Sequence, residues 1–452
     1  MKKFRIIILL VISTNLFAQV SVQKNDLKYM QWFEDAKLGI FIHYGIYAVD
    51  GTVESWPICN NEIPYDKYMS QLKGFTASKY DPAEWAKLFK NAGAKYAVLT
   101  SKHHDGVALW NTKLSKLNVV EKSPARRDLI APFAKAMRNE GLKVGIYFSL
   151  LDWSHPDYAT VFDAKNTVPT NNIWDYPKSG IQDTVRWNKF LKFNNGQLKE
   201  LNSLVKPDLW WFDGDWTRTA KQWKAKELRD SLKFWNPNVI LNARMKEYGD
   251  YKTPEQGIPV VAPEGPWELC MTINDSWGYR PNDTNQKSIN YIIRIFSECI
   301  SLGGNLLLDV GPKADGTITP EQTKILEGLG RWTTKSAEAI YGTRRGLPFG
   351  HFFGPTTLSK DKKTLYCFLL DNPKSEVVIK GIRNKINKIR VIGSNSTLNF
   401  KLNCGASWMN IPPVLIIDFQ ASELDENATV IAVELDSPLE LYRGEGGSIE
   451  KN

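Results

Sequence analysis

Short, almost unbroken apolar runs alternate with longer stretches of helical period along most of this chain. The runs at residues 38–44, 96–101, 144–151, 209–213, 239–243 and 305–310 predict buried parallel strands, because a strand covered on both faces loses its polar alternation. Residues 81–93, 128–141, 184–205 and 288–302 predict helices between them. The first of these has Asp81 as cap, Pro82 at the first helical position and Glu84 in the first turn, and it closes on Ala92-Gly93. Six or more such strand and helix units before residue 345 predict a closed (β/α) barrel, regular or irregular. A doubly wound open sheet is the alternative. It loses ground because no GxGxxG follows an early strand and no P-loop is present.

After Gly346 the pattern becomes short and alternating, with runs at 364–370, 377–379, 388–392, 397–402 and 430–435 punctuated by Asn, Asp, Gly and Pro. That texture predicts a C-terminal antiparallel β-sandwich. The chain then divides into residues 1–18, a barrel over 19–345, a sandwich over 346–443 and a polar tail over 444–452, with 343–348 as linker. Residues 1–18 stand apart. Lys2, Lys3 and Arg5 precede an apolar run over 6–12, and Leu16-Phe17-Ala18 before Gln19 has the form of a signal-peptidase site, so an exported protein, periplasmic or secreted, is expected. No other stretch is long and apolar enough to span a bilayer.

Composition adds exclusions. With 42% apolar and 24% charged residues over 452 positions, the chain can bury one large and one smaller core. Its formal charge of +9 is scattered, and no basic cluster interleaves with aromatics, so nucleic acid is not an expected partner. Cys59, Cys270, Cys299, Cys367 and Cys404 lie far apart, without the close pairs of zinc or redox sites, so a structural metal is not expected.

Candidate chemistry collects where strands end. In LWWFDGDW, residues 209–216, the two-residue period places Trp211, Asp213 and Asp215 on one face and Trp210 and Phe212 on the other. Only five histidines occur, and three sit at strand ends: His43 in FIHYG, and His103 and His104 in SKHHDG. Glu54 and Trp56 in VESWP, Tyr147 in GIYFS, and Asp152 with Trp153 meet the same mouths. Indole faces with imidazoles and carboxylates suit a sugar, whose C–H faces pack on rings while its hydroxyls take ionic hydrogen bonds. Glycosidic cleavage needs two carboxylic groups flanking the bond. A histidine-metal hydrolase and a catalytically silent sugar binder are the other classes these residues allow.

The motifs FIHYG, SKHHDG, WWFDGDW, GDYKTPE, WELCMTINDSWGY and GGNLLLDVGPKADGTI, in that order over residues 30–345, resemble glycoside hydrolase family 29, the retaining α-L-fucosidases. The resemblance implies a barrel, no cofactor, double displacement and a fucosylated glycan as substrate. A related L-sugar such as an α-L-galactoside is the alternative substrate. Position by position it implies Asp213 as nucleophile and a fucose pocket of His43, Glu54, His103, His104, Tyr147, Trp211 and Arg244, with Trp277 near the sugar methyl. Many members have Glu-Trp adjacent, whereas Ser55 separates Glu54 from Trp56 here. For the general acid/base the chain offers Glu255 and Glu268. The D-[FY]-K-T-x-E segment of related enzymes matches Asp250 to Glu255 and implies Glu255, with Glu268 left to the pocket. Apolar neighbours and the prospect of a raised pKa are the case for Glu268.

Overall fold

A computed structural model describes residues 28–158, 184–373, 376–394, 396–420, 422 and 424–444. Seven parallel strands form its first sheet: β1 (Leu38–Ile42), β2 (Tyr96–Lys102), β3 (Lys143–Ser149), β4 (Leu209–Asp213), β5 (Ile240–Leu241), β6 (Glu268–Thr272) and β7 (Asn305–Val310). Their order, β5-β4-β3-β2-β1-β7-β6, is that of a sheet curling into a barrel rather than a doubly wound sheet. No ladder joins β5 to β6. Residues 250–256 fill that gap: the Asp250 amide donates to Leu241 O at 2.7 Å, and the Gln256 amide to Cys270 O at 2.9 Å. The barrel is thus closed by an irregular stave.

The strands are largely apolar because both faces are covered. On β4, Trp210 and Phe212 face the surrounding helices, while Leu209 and Trp211 face the barrel interior with Phe41, Tyr96, Val98 and Tyr147. The helices form where their caps are. Asp81 accepts the amides of Ala83 and Glu84 at the head of Pro82–Asn91, and Ser288 accepts that of Tyr291 at the head of Ile289–Ser301. The short helix Gln31–Ala36 plugs the N-terminal end of the barrel, where Phe33 packs on Tyr96 and Tyr251 in a cluster that includes Met30.

Several elements of the barrel, the helix Ala225–Trp235 among them, were not foreseen as such. β6 starts on a charged residue, Glu268, which hides its strand pattern, and the helix Pro320–Lys335 follows a strand not coupled to it by any obvious repeat. The C-terminal region holds two antiparallel sheets. One is β12-β15-β10-β9-β8 and the other β11-β14-β13, where β8 is Arg344–Arg345, β9 Thr356–Leu358, β10 Thr364–Leu369, β11 Glu376–Ile379, β12 Ile386–Val391, β13 Phe400–Asn403, β14 Val414–Asp418 and β15 Thr429–Leu435. Leu365, Cys367 and Leu369 of β10 face a core shared with Val377, Leu415 and Ile417, which makes the pair a sandwich. The alternate residues Tyr366 and Phe368 pack instead on the barrel helices, where Trp332 Nε1 donates to Ala428 O at 2.9 Å. Arg344–Arg345, inside the expected linker, pairs as an edge strand with β9.

Candidate active site

The inward-facing residues at the C-terminal ends of the strands enclose a cavity of about 470 Å³. Asp213, the last residue of β4, enters it with Trp211. The expected continuation to Asp215 does not hold. Gly214 takes φ 85°, a left-handed conformation that ends the alternation, and the Asp215 carboxylate accepts the Lys246 amide at 2.8 Å. Asp215 ties two loops together and lies outside the cavity lining.

The histidines are held by their second nitrogens. His43, just after β1, has Nδ1 2.7 Å from Asp309 Oδ1 on β7. His103 and His104 diverge, as consecutive residues must. His103 Nδ1 lies 2.6 Å from Ser55 Oγ, with its ring parallel to that of Tyr147 at 5.5 Å. His104 Nδ1 lies 2.6 Å from Ser149 Oγ, which donates onward to Leu151 O at 2.7 Å. The Ser149 oxygen therefore accepts from His104 Nδ1–H, and in the neutral ring Nε2 turns its lone pair toward Asp213 Oδ2, 3.6 Å away. Among the described residues no group of three or more His, Cys, Asp or Glu side chains is arranged to hold a metal ion. Cys270, Cys299, Cys367 and Cys404 form no disulfide, and of these Cys404 alone is exposed.

Two donors grip Asp213. Arg244 Nη1 reaches Oδ1 at 2.8 Å, Tyr147 Oη reaches Oδ2 at 3.0 Å, and His104 stands behind. Burial works to raise the Asp213 pKa, but the Arg244 charge and these contacts outweigh it and hold the carboxyl below its ordinary value. Arg244 also lies over the Trp211 ring, 4.7 Å from its centroid, and its Nη2 reaches Glu255 Oε2 at 2.5 Å. One guanidinium thus bridges both acids. The imidazoles do not supply the positive charge. Burial drives His43 down to about 3 and His104 to about 4, and pushes His103 well below its ordinary value. All three are neutral near pH 7, suited to hydrogen-bonding hydroxyls.

Glu54 is buried in the cavity wall at φ 33°, an unusual backbone for a non-glycine residue, and accepts the Gly278 amide at 2.6 Å. Burial raises its carboxyl to about 7, against the opposing effect of that amide and of Arg280. Trp277 flanks His43, with ring centroids 5.0 Å apart. Trp56 does reach the cavity, edge-on to His104 and parallel to Trp216 at 6.5 Å.

Glu268 does not. It opens β6 opposite Asn305, at the N-terminal end of the barrel, fully buried beneath Trp211. Asp152 likewise turns away from the cavity, to pair with the buried Lys102 at 3.2 Å. Glu255, in contrast, lines the mouth with a side chain 41% exposed. Phe41 and Trp216 line the cavity without having been singled out as site residues, although both lie within the motifs FIHYG and WWFDGDW.

A family model described as alpha-L-fucosidase matches residues 12–338. A tissue alpha-L-fucosidase of Bos taurus is 31% identical over 415 residues, which are 82% of this chain and 82% of the bovine one. Alpha-L-fucosidase isoenzyme 1 of Paenibacillus thiaminolyticus superposes with a TM-score of 0.81 at 33% identity, covering 91% of this chain and 100% of that one. A GH29 alpha-L-fucosidase of Bacteroides thetaiotaomicron, trapped as a covalent intermediate with 2-fluoro-fucosyl fluoride, superposes with a TM-score of 0.79 at 26% identity, covering 90% and 96%.

Proposed function

The chain belongs to the alpha-L-fucosidase family, and on that footing we propose which of its residues perform the chemistry. The protein is a glycoside hydrolase that releases terminal α-L-fucose by a retaining double displacement. In this reading Asp213 attacks the anomeric carbon, the glycosidic C–O bond breaks, and Glu255 gives its proton to the departing oxygen. The β-linked fucosyl ester on Asp213 is then displaced by water, which Glu255 deprotonates, and fucose leaves in its original α configuration. The observation that carries this reading is Arg244, which joins Asp213 and Glu255 at one cavity mouth.

The remaining side chains hold the sugar. Neutral His43, His103 and His104 and the Glu54 carboxyl meet its hydroxyls, Trp211 and Tyr147 form the floor, Trp56 the rim, and Trp277 with Phe41 the apolar corner for its methyl group. The terminal fucose of a fucosylated oligosaccharide or glycoconjugate is the bound unit. Export completes the proposal: residues 1–18 serve as a signal peptide, ahead of a catalytic barrel over 19–345, a sandwich over 346–443 and a tail over 444–452. The signal segment and nearly all of the tail lie outside the described residues. Among the described residues no helix is long and apolar enough to cross a membrane.

Proton NMR of the first sugar formed from an aryl α-L-fucoside tests the chemistry. The α anomer is expected first, and initial β-fucose overturns the mechanism. Asp213→Gly should lower kcat by several orders of magnitude with the fold intact. Faster turnover of the matching α-L-galactoside would replace the substrate assignment.

A further inference from the structure

We propose that Glu268, at the floor of the barrel, is a positioning residue that acts on the reaction through Trp211. The proposal rests on Asp213 being the nucleophile. Trp211 is the common underlay of the two groups that grip Asp213: its ring stacks on Tyr147 at 5.7 Å between centroids and 18° between planes, and carries the Arg244 guanidinium at 4.7 Å. What fixes the indole is its single N–H, which donates to Glu268 Oε1 at 3.0 Å. An indole nitrogen only donates, so this oxygen is its acceptor in either protonation state of the carboxyl.

Glu268 is itself clamped. Tyr96 donates to Oε2, and Tyr251 reaches Oε1 at 3.4 Å; both rings are wedged against Phe33 of the N-terminal plug helix. The line from Phe33 through Glu268 and Trp211 to Arg244 and Tyr147 sets where the donors to Asp213 stand. Loss of the acceptor frees the indole in its plane, and both donors shift with it. Reacting groups lose on the order of 10–100-fold in rate for displacements near 1 Å.

The test compares Glu268→Leu with Glu268→Gln on one aryl α-L-fucoside, with melting curves for each. Glu268→Leu should fold, lose about 10–100-fold in kcat, and show the acidic limb of kcat/KM displaced to higher pH, because a looser Arg244 no longer depresses Asp213. Glu268→Gln, which still offers an oxygen to Trp211, should recover most of the rate and return the limb. A folded Leu variant with rate and limb unchanged overturns the proposal, as does a Gln variant no better than Leu. If the Leu variant does not fold, Trp211→Phe decides, since it keeps a ring under Arg244 but removes the N–H: an unmoved acidic limb there overturns the proposal. Labelling of the native enzyme by 2-fluoro-fucosyl fluoride separates the two readings. A label away from Asp213 removes the assignment of the nucleophile, whereas a label on Asp213 with an unmoved limb removes only the role of Glu268.

Discussion

Arg244 Nη1 lies 2.8 Å from Asp213 Oδ1, and this contact decides the charge of a carboxyl that burial alone would neutralise. Among the described residues the guanidinium is the one permanent cation against it, since the neighbouring imidazoles are neutral.

Removal of that cation should therefore move the acidic limb of the activity. Asp213 attacks only when ionised, and its depressed pKa keeps it ionised below the usual carboxylate range. In Arg244→Met burial is opposed chiefly by the Tyr147 hydrogen bond, the pKa rises, and kcat/KM should fall away at higher pH than in the native enzyme. A loss of about 10²–10³-fold at neutral pH is also expected, the scale for one group that stabilises charge at the reacting centre. A pH profile with an unshifted acidic limb would show that Arg244 acts on substrate binding alone.

The two candidate acids separate by leaving group. Glu255→Ala should spare an aryl fucoside with a good leaving group and slow one with a poor leaving group by about 10²–10⁴-fold, because only the latter needs a proton. Added azide should restore turnover and yield β-fucosyl azide. Glu268→Ala should slow both substrates alike and gain nothing from azide. Azide rescue confined to Glu268→Ala would reverse the assignment.

Glu54 offers a measurement on stability. Its carboxyl sits near 7 in the folded protein, so the folded state holds this proton more tightly than the unfolded chain does. That linkage favours folding below the ordinary carboxylate pKa and fades as pH rises toward and through 7, by roughly 3 kcal/mol at about 1.4 kcal/mol per pKa unit. Calorimetry should show the native Tm falling more from pH 5 to pH 8 than that of Glu54→Gln. Parallel slopes would mean that Glu54 does not titrate in this window.

What was legible in the sequence is what depends on short-range geometry. The period of two along 209–213 put Trp211 and Asp213 on one face and Trp210 and Phe212 on the other, and β4 has that arrangement. The cap at Asp81 and the alternation in 364–370 are local in the same sense. Depth in the barrel is not local. Glu268 and Glu255 are thirteen positions apart and the same residue type, and only the register of β6 on β7, with Glu268 opposite Asn305, sends one to the floor, while the stave at 250–256 carries the other to the mouth. Asp215 left its predicted face because Gly214 adopts φ 85°, a conformation that glycine permits and the flanking loops select. The charge of the imidazoles was likewise settled by the whole fold, since burial from every side, more than any neighbour in sequence, holds His43, His103 and His104 neutral around an ionised Asp213.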